Sequence, residues 1–255
     1  MKIEGSVILV TGGASGIGEF IARSFYEKGG VVYICDLNEE RGNQMQTSTN
    51  SKIRFIKCDI SDENSVRNLV ETIKKEQGRI DILVNSAGIL KGEYIATNKA
   101  THSTSNFELL LKVNLLGTFM VAKYVAKLMI ETSDPNKDCN GNIIMIASIA
   151  GIEGQKGQSA YSASKGGVIG LTLPMARDLG KYKIRVNCVA PGVIATPMSA
   201  GMEKTKFGQM ILNNTPLQTY GKPIHVSQTV EFVVVNDYVN GTTIRVDGGC
   251  RLPHF

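Results

Sequence analysis

Short apolar runs alternate with longer amphipathic stretches along almost the whole chain. The apolar runs predict seven strands, near 6–11, 31–36, 53–58, 80–85, 142–147, 184–190 and 243–246. Apolar residues at helical spacing fill the intervals, and the longest helices are predicted over 104–131 and 159–180. Strands of continuous apolar residues that alternate with helices are typical of a parallel sheet covered on both faces. We therefore expect an α/β fold with a doubly wound parallel sheet of seven strands flanked by helices.

The chain shows no linker, internal repeat or low-complexity tract, so we expect one domain over residues 1–255. Its length and its apolar content of 42% suit one large core. Polar stretches at 91–106 and 132–141 are predicted to be loops.

A glycine-rich turn follows the first predicted strand and leads into a helical pattern. A helix that begins after such a turn directs backbone N–H groups and its positive dipole end towards an anion. Gly12 permits the tight turn, Gly16 lets a pyrophosphate approach the backbone, and Gly18 lets the helix pack on the sheet. The spacing differs from the commoner G-x-G-x-x-G, so an ordinary glycine-rich turn remains the alternative interpretation.

An acidic residue, Asp36, ends the second predicted strand, 18 residues beyond Gly18. A carboxylate there accepts hydrogen bonds from the hydroxyls of an adenosine ribose and repels a 2′-phosphate. The nearby Gly13, Ala14 and Leu37 provide no cation for such a phosphate. The sequence therefore favours NAD over NADP in a Rossmann-type sheet, and the alternative is that Asp36 only caps a turn or helix.

Tyr161 and Lys165 lie four residues apart in the helix predicted over 159–180, so both side chains share one face. An ammonium beside a phenol favours the phenolate, and we expect Lys165 to lower the pKa of Tyr161. A tyrosine tuned in this way exchanges a proton with an alcohol or a carbonyl. Ser148 follows an apolar strand and would hold the same substrate oxygen. Such Tyr–Lys pairs also occur on solvated helices, which is the alternative.

Together these motifs resemble the short-chain dehydrogenase/reductase family over essentially the whole chain. The matching positions are Thr11–Gly18, Asp36, Asp59, Ile60, 85–88, Asn114, Ser148, Tyr161, Lys165, Pro191, Gly192 and Thr196. The resemblance implies the strand order 3-2-1-4-5-6-7 and a nicotinamide cofactor at the carboxyl ends of the strands.

The resemblance also implies a role for each matching residue. The implied cofactor-binding residues are Gly12, Ser15, Gly16, Ile17, Gly18, Asp36, Asp59, Ile60, Asn85, Ala87, Gly88, Tyr161, Lys165, Pro191, Gly192 and Thr196. The implied catalytic residues are Asn114, Ser148, Tyr161 and Lys165. In that scheme Tyr161 is the acid or base, and Asn114 distorts its helix and orders a water that links Lys165 to solvent. Substrate would contact Ser148, Tyr161 and Gln155.

Residues 151–180, with shorter segments on either side, resemble one subgroup, the type 2 3-hydroxyacyl-CoA dehydrogenases, also called 17β-hydroxysteroid dehydrogenase type 10. This resemblance implies NAD-dependent oxidation of 3-hydroxyacyl-CoA esters in fatty-acid or branched-chain amino-acid breakdown, a homotetramer and a mitochondrial location, with a cytoplasmic one as the alternative. Gln155 would be a second polar group towards substrate, or else a surface loop residue. Competing functions are another alcohol, steroid or 3-oxoacyl reductase and a scaffold subunit of a larger complex.

The substrate loop implied by the resemblance covers about 193–225 and carries methionines that suit an adaptable apolar cover. An ordinary amphipathic helix explains these methionines equally well. The family usually has an arginine and an acid where this chain has Thr219 and His225. We therefore expect weaker anchoring of this loop and altered subunit contacts.

The net charge of +5 comes from scattered basic residues. We interpret this charge first as a solvated surface. An anionic substrate such as an acyl-CoA ester is the second interpretation, and a nucleic-acid interface is the third. The five cysteines show no C-x-x-C pair and are predicted to be reduced core thiols of an intracellular protein, and no metal site is evident. We expect no membrane-spanning helix, since no run of 18 apolar residues occurs. We expect no cleaved leader before the first strand, because Met1–Ser6 leaves no room for one. The chain is then not imported, or its leader is absent from this sequence, or targeting information lies inside the folded sequence.

Overall fold

All seven predicted strands are present in the computed structural model, which describes residues 1–252. The strands are β1 Val7–Thr11, β2 Val31–Asp36, β3 Ile53–Lys57, β4 Ile82–Asn85, β5 Gly141–Ile146, β6 Ile184–Pro191 and β7 Thr243–Val246. They form one parallel sheet in the order β3-β2-β1-β4-β5-β6-β7. The predicted α/β fold class and strand order are confirmed.

Helices connect the strands and cover both faces of the sheet. They are α1 Gly16–Glu27, α2 Glu39–Ser48, α3 Glu63–Gln77, α4 Thr104–Leu110, α5 Thr118–Glu131, α6 Ser159–Gly180, α7 Lys206–Asn213 and α8 Pro223–Val235. Short 3₁₀ turns cover Ile149–Gly151, Pro197–Ser199 and Met202–Lys204.

The two faces of the sheet carry separate apolar cores, because alternate residues of each strand point to opposite faces. Leu9 and Tyr33 pack on one face, with buried residues of α3, α5 and α6. Ile8 and Val10 pack on the other, where α1 and α8 provide residues such as Phe25. Burial on both faces explains why the strands consist of continuous apolar residues.

Side chains at the starts of several helices fix where these helices begin. Asn38 accepts a hydrogen bond from the Arg41 N–H, and Asp62 accepts one from the Asn64 N–H. At the other end of α3, Gly78 adopts a left-handed conformation with φ of 76°, which stops the helix. These polar residues lie between the apolar runs of the sequence and separate strands from helices.

The long helix predicted over 104–131 exists, but one wide turn interrupts it. Residues Leu111–Gly117 form a π-helical segment between α4 and α5. An 18-residue window within Thr104–Glu131 is long and apolar enough to cross a membrane, with a mean hydropathy of 1.5. Length and composition are weak evidence for a membrane span by themselves, and the expectation that the chain has no such helix stands. Half of that window is buried inside the protein against the sheet, as in the core helix of an α/β protein.

The sheet has a topological switch point between β1 and β4. These strands pair directly, although the chain runs from β1 to β2 and β3 on one side before it returns to β4. Connections therefore leave the adjacent carboxyl ends of β1 and β4 in opposite directions and open a crevice between them. Ligands of doubly wound sheets bind in this crevice.

Candidate active site

A cavity of about 370 Å³ lies at the carboxyl ends of the strands. It has two ends, which we name for the elements around them. The β2–β3 end is lined by Cys35, Asp36, Leu37, Cys58, Asp59 and Ile60. The α7 end is lined by Gln155, Gln158, Met198, Met202, Phe207, Ile211 and Leu252.

Most of the residues predicted for the site line this cavity. They are Gly12, Ser15, Gly16, Ile17, Gly18, Asp36, Asp59, Ile60, Ala87, Gly88, Ser148, Gln155, Tyr161, Lys165, Pro191, Gly192 and Thr196. Asn85 and Asn114 are absent from the cavity wall of the described chain and are buried behind it.

The glycine loop is too close to its neighbours for side chains. A Cβ on Gly18 would lie 2.3 Å from the Gly12 carbonyl oxygen, and one on Gly12 would lie 2.7 Å from the Ala87 Cα. Gly12 and Gly16 also have φ of 64° and 58°, which L-residues rarely adopt. The loop therefore presents bare backbone to the cavity.

The first turn of α1 directs its N–H groups towards this cavity. Within the described chain, the N-cap Ser15 makes no hydrogen bond from its side chain to these groups. The free N–H groups of a helix start and its positive dipole end form an anion site. Across the cavity, Thr196 lies 3.5 Å from where a Gly16 Cβ would be.

Asp36 both lines the cavity and holds the loops around it. One carboxylate oxygen accepts a hydrogen bond from the Ala14 N–H at 3.2 Å, and the other accepts one from the Asn38 N–H at 3.0 Å. The Asp36 carboxylate therefore caps local turns, which is the alternative role given in the sequence analysis. It also lines the cavity wall.

The floor of the cavity, residues 85–89, is tied to two neighbouring elements. The Thr11 hydroxyl accepts hydrogen bonds from the Ser86 and Ala87 N–H groups, each at 3.1 Å. Asn114 accepts a hydrogen bond from the Ile89 N–H at 2.8 Å and donates one to the Ile89 carbonyl at 2.9 Å. These bonds fix the path of the chain beneath the cavity.

The π-helical turn brings Asn114 to this floor. Its side-chain amide also donates to the Ser164 hydroxyl on α6 at 3.0 Å. A Cβ on Gly88 would lie 3.2 Å from the Asn114 Oδ1 and 3.3 Å from the Lys165 Nζ. Asn114 and Lys165 therefore meet above Gly88, although they come from different helices.

Ser148, Tyr161 and Lys165 line the middle of the cavity. The Ser148 hydroxyl oxygen accepts a hydrogen bond from the Ala150 N–H at 3.1 Å, which leaves its own hydrogen to donate into the cavity. The Lys165 ammonium donates to the Ile146 carbonyl at 2.9 Å and lies 6.0 Å from the centre of the Tyr161 ring.

The expected direction of the Tyr161 pKa is wrong for this structure. Burial raises the pKa of Tyr161, and only the neighbouring Ser148 side chain opposes this shift. Burial also lowers the pKa of Lys165 to about 8, because the charged ammonium is removed from water. Desolvation thus outweighs the attraction between ammonium and phenolate that the spacing suggested.

The α7 end carries polar atoms inside an otherwise apolar wall. The amide nitrogen of Gln155 and the amide oxygen of Gln158 are buried and have no hydrogen-bond partner among residues 1–252. Sequence reasoning missed Gln158. It is the N-cap residue of α6, outside the helix predicted over 159–180, and no spacing in the sequence identifies it.

An ionic cluster fixes the segment that carries Gln155. Arg245 on β7 binds Glu153 and donates to Asp247 at 2.6 Å and to the Cys250 carbonyl at 2.9 Å. Leu252, two residues further along, lines the cavity. Arg245 therefore joins the segment 149–158 to the C-terminal part of the wall.

The predicted substrate loop is anchored despite its unusual residues. The Gly221 N–H donates to the Val193 carbonyl at 3.0 Å, and the Ala195 N–H donates to the Gly221 carbonyl at 2.8 Å. His225 occupies the place of the family's acid and accepts a hydrogen bond from the Lys222 N–H at 3.2 Å. Weaker local anchoring is therefore not observed, because main-chain pairing and an imidazole cap hold the loop.

The arrangement can bind a dinucleotide along the carboxyl ends of the strands and exchange a proton beside it. Within residues 1–252, no group of three or more His, Cys, Asp or Glu side chains is placed to hold a metal ion.

Comparison with known proteins agrees with the fold. Residues 12–251 match a family model described as enoyl-(acyl carrier protein) reductase. The chain is 36% identical to the 3-hydroxyacyl-CoA dehydrogenase type-2 of Drosophila melanogaster, over 98% of this chain and 99% of that protein. It is also 36% identical to a 3-oxoacyl-(acyl-carrier-protein) reductase of Thermotoga maritima, again over 98% and 99%. The crystal structure of a 3-hydroxyacyl-CoA dehydrogenase type-2 from Mycobacterium avium superposes with a TM-score of 0.89 at 33% identity, covering 98% of this chain and 96% of that one.

The chain is therefore an oxidoreductase with a Rossmann-like fold. It belongs to the short-chain dehydrogenase/reductase family, whose members use NAD or NADP.

Proposed function

We propose that the protein is an NAD-dependent dehydrogenase that interconverts a secondary alcohol and a ketone, with 3-hydroxyacyl-CoA esters as its most favoured substrates. The observation that carries the proposal is the position of Ser148, Tyr161 and Lys165 in the middle of one cavity, between the bare glycine loop and the apolar α7 end. This order supports a proton donor that acts between a site for a dinucleotide and a site for an apolar group.

The residues of the cavity fit a nicotinamide dinucleotide. The glycine loop and the start of α1 would hold the pyrophosphate, because side chains are excluded there and N–H groups face the cavity. The β2–β3 end would hold the adenosine, and Thr196 with residues 191–192 would hold the nicotinamide amide. When bound, the nicotinamide accepts or gives the hydride.

Three side chains of this protein would transfer the proton and stabilise the substrate oxygen. Tyr161 gives its phenolic proton to a ketone oxygen during reduction and takes the proton of an alcohol during oxidation. Ser148 donates a hydrogen bond to the same oxygen and stabilises its developing charge. Lys165 places a positive charge near the phenol and is held by the Ile146 carbonyl.

Asn114 would act by positioning these groups, since its side chain binds the cavity floor and α6.

The preference for NAD is proposed from the position of Asp36 at the β2–β3 end. Its carboxylate would accept hydrogen bonds from the ribose hydroxyls and repel the extra phosphate of NADP. The exposed neighbour Leu37 adds no positive charge.

An acyl-CoA substrate is proposed from the wall of the α7 end. Met198, Met202 and Phe207 offer flexible apolar contacts to a short acyl chain. The unpaired amide nitrogen of Gln155 offers a donor to a second carbonyl, as a thioester provides. The type-2 dehydrogenases among the relatives make the CoA ester the favoured carrier. A 3-oxoacyl-(acyl-carrier-protein) reductase is the second candidate, because an equally identical relative bears that name.

Four further features are proposed from the resemblance and the composition. We propose one domain over the whole chain, a mitochondrial location and participation in acyl-chain breakdown. We also propose a homotetramer. The exposed faces of Phe107, Leu116 and Phe119 on the helical segment 104–131, and of Leu173 on α6, leave apolar surface for a second copy.

A turnover assay tests the proposed function. The purified chain is supplied with NAD⁺ or NADP⁺ and with 3-hydroxybutyryl-CoA, its pantetheine analogue or a hydroxysteroid. We expect the highest kcat/KM with NAD⁺ and the CoA ester. Turnover of none of these alcohols, with stoichiometric partners co-purifying, would instead support a scaffold role. Equal rates with the pantetheine analogue would support the carrier-protein thioester.

A further inference from the structure

Two cysteines with no part in the proposed reaction lie at the β2–β3 end of the cavity. Cys35 is the fifth residue of β2, and Cys58 follows β3, where its N–H donates to the Asp36 carbonyl at 3.2 Å. Cys35 lies opposite Ile56 in the strand register, so Cys58 comes two residues later on the same face. Both side chains pack in one apolar cluster. The fold therefore brings two thiols together from strands that are distant in sequence.

The two sulfurs differ in their surroundings. The Cys58 sulfur accepts a hydrogen bond from the Ser65 hydroxyl at 3.4 Å. The neighbouring Cys35 side chain and this bond lower the pKa of Cys58, although burial, Asp59 and Asp62 oppose the shift. The neighbouring Cys58 side chain, together with burial, raises the pKa of Cys35. Cys58 is therefore the better nucleophile of the pair.

The two thiols also differ in access. Cys58 keeps 2% of its surface accessible, whereas Cys35 keeps none. Hydrogen peroxide is close to water in size, so it reaches Cys58 from the cavity first.

We propose that Cys58 and Cys35 form a peroxide-oxidisable thiol pair whose oxidation and dinucleotide binding exclude each other. This inference rests on the proposed function for the identity of the dinucleotide. The Cys58 thiolate attacks one oxygen of hydrogen peroxide, the O–O bond breaks, and water leaves after protonation. The Cys35 thiol then attacks the sulfenic acid, an S–S bond forms, and a second water leaves. Two thiols are oxidised by two electrons in total, and one peroxide is reduced to two waters.

The oxidised pair would disturb the adenosine site directly. Cys58 lies two positions beyond the residue opposite Cys35, and cysteines offset in this way on neighbouring strands are bridged only when the backbone moves. Formation of the disulfide therefore shifts the ends of β2 and β3 relative to each other. Asp36 and Asp59 follow the two cysteines immediately in sequence and line the same end of the cavity. Their displacement removes the groups proposed to hold the adenosine.

Peptide mapping by mass spectrometry tests the pair in the full, reduced chain. Hydrogen peroxide should produce a peptide that links Cys35 to Cys58, and calorimetry should then show loss of NAD⁺ binding, which dithiothreitol restores. With NAD⁺ present at about ten times its dissociation constant, the rate of linkage should fall about tenfold. The partly exposed Cys139 is the internal control, because it lies outside the cavity wall of the described chain and should oxidise equally with or without NAD⁺.

Two variants separate the steps. Cys35→Ser should stop the reaction at a sulfenic acid on Cys58, which dimedone traps, and Cys58→Ser should leave Cys35 reduced. NAD⁺ binding of each reduced variant is measured first as the reference. Oxidation of Cys139 while Cys58 stays reduced would overturn the proposal, and so would linkage at an unchanged rate in saturating NAD⁺. If the chain forms the linkage but never binds NAD⁺, the proposed function is refuted, and so is the mutual exclusion of oxidation and NAD⁺ binding. The proposal of an oxidisable thiol pair would then still be supported.

Discussion

The two ends of the cavity differ in how completely their polar groups are paired. At the β2–β3 end, both carboxylate oxygens of Asp36 accept backbone hydrogen bonds, and the Asp59 carboxylate accepts one from the Ser61 N–H at 2.8 Å. At the α7 end, the Gln155 nitrogen and the Gln158 oxygen are buried without a partner in the part of the chain that the structure describes.

This difference corresponds to the tasks proposed for the two ends. A paired, rigid end binds one invariant ligand and loses little conformational freedom when it does so. Buried unpaired groups cost free energy unless a ligand satisfies them, so they favour a substrate with matching polar atoms. The two ends thus separate cofactor binding from the selection of substrate.

The largest expected effect comes from the proton donor between the two ends. Tyr161→Phe should lower kcat about 10²- to 10⁴-fold, because the transferred proton loses its donor. NADH binding, followed by fluorescence, should stay close to that of the unaltered chain. The matched control is Tyr238→Phe on a fully exposed tyrosine, which should leave kcat unchanged. Undiminished turnover by the Tyr161 variant with every substrate would refute the assignment.

A smaller effect is expected from the paired end. Asp36→Asn keeps acceptors for the Ala14 and Asn38 N–H groups but removes the charge. The ratio of kcat/KM for NAD⁺ over NADP⁺ should fall about ten- to hundredfold, because a charged hydrogen bond and a repulsion are lost. Asp36→Ala should relax the preference as well and also loosen the loops. If the NAD⁺ to NADP⁺ ratio of kcat/KM is unaltered in both variants, Asp36 only caps the local turns and does not select the cofactor.

The pH dependence tests the balance between burial and charge at Tyr161. Since burial raises its pKa, the neutral phenol predominates near neutral pH. Alcohol oxidation needs the phenolate, so its kcat/KM should rise about tenfold per pH unit throughout the range below the raised pKa of Tyr161. Reduction uses the neutral phenol and should be flat over the same range. A flat oxidation profile would mean that Lys165 lowers the pKa of Tyr161 after all.

The smallest effect is expected at the unpaired end. Gln155→Leu should raise KM for a 3-hydroxyacyl-CoA about three- to tenfold with little change in kcat, because one neutral hydrogen bond is lost. KM for a simple secondary alcohol without a thioester should not change. Gln228→Leu, at an exposed glutamine on α8, is the control. An equal rise in KM for both substrates would indicate a disturbed segment 149–158 rather than a lost contact.

The paired end could be predicted well from the sequence because its signals are local. The glycine loop lies within one strand–turn–helix unit, and Asp36 ends the next strand. The unpaired end depends on tertiary contacts. Leu252 reaches the cavity only because Arg245 and Glu153 hold the C-terminal segment there.

The direction in which the Tyr161 pKa is shifted could not be predicted from the sequence either. Spacing identifies its neighbour Lys165, but the extent of burial, which dominates the shift, is fixed only by packing. The same holds for His225, since its role as a helix cap depends on the rotamer of its imidazole.

The wide turn at Leu111–Gly117 has a consequence for insertions and deletions. It accommodates one residue more than a regular helix of the same length, and that residue sets the rotation between α4 and α5. A single-residue deletion here would rotate the two halves by about 100° relative to each other. Asn114 would leave Ile89, and Phe107 would turn to a different side of the helix. Homologues should therefore vary in residue type along this segment while they keep its length.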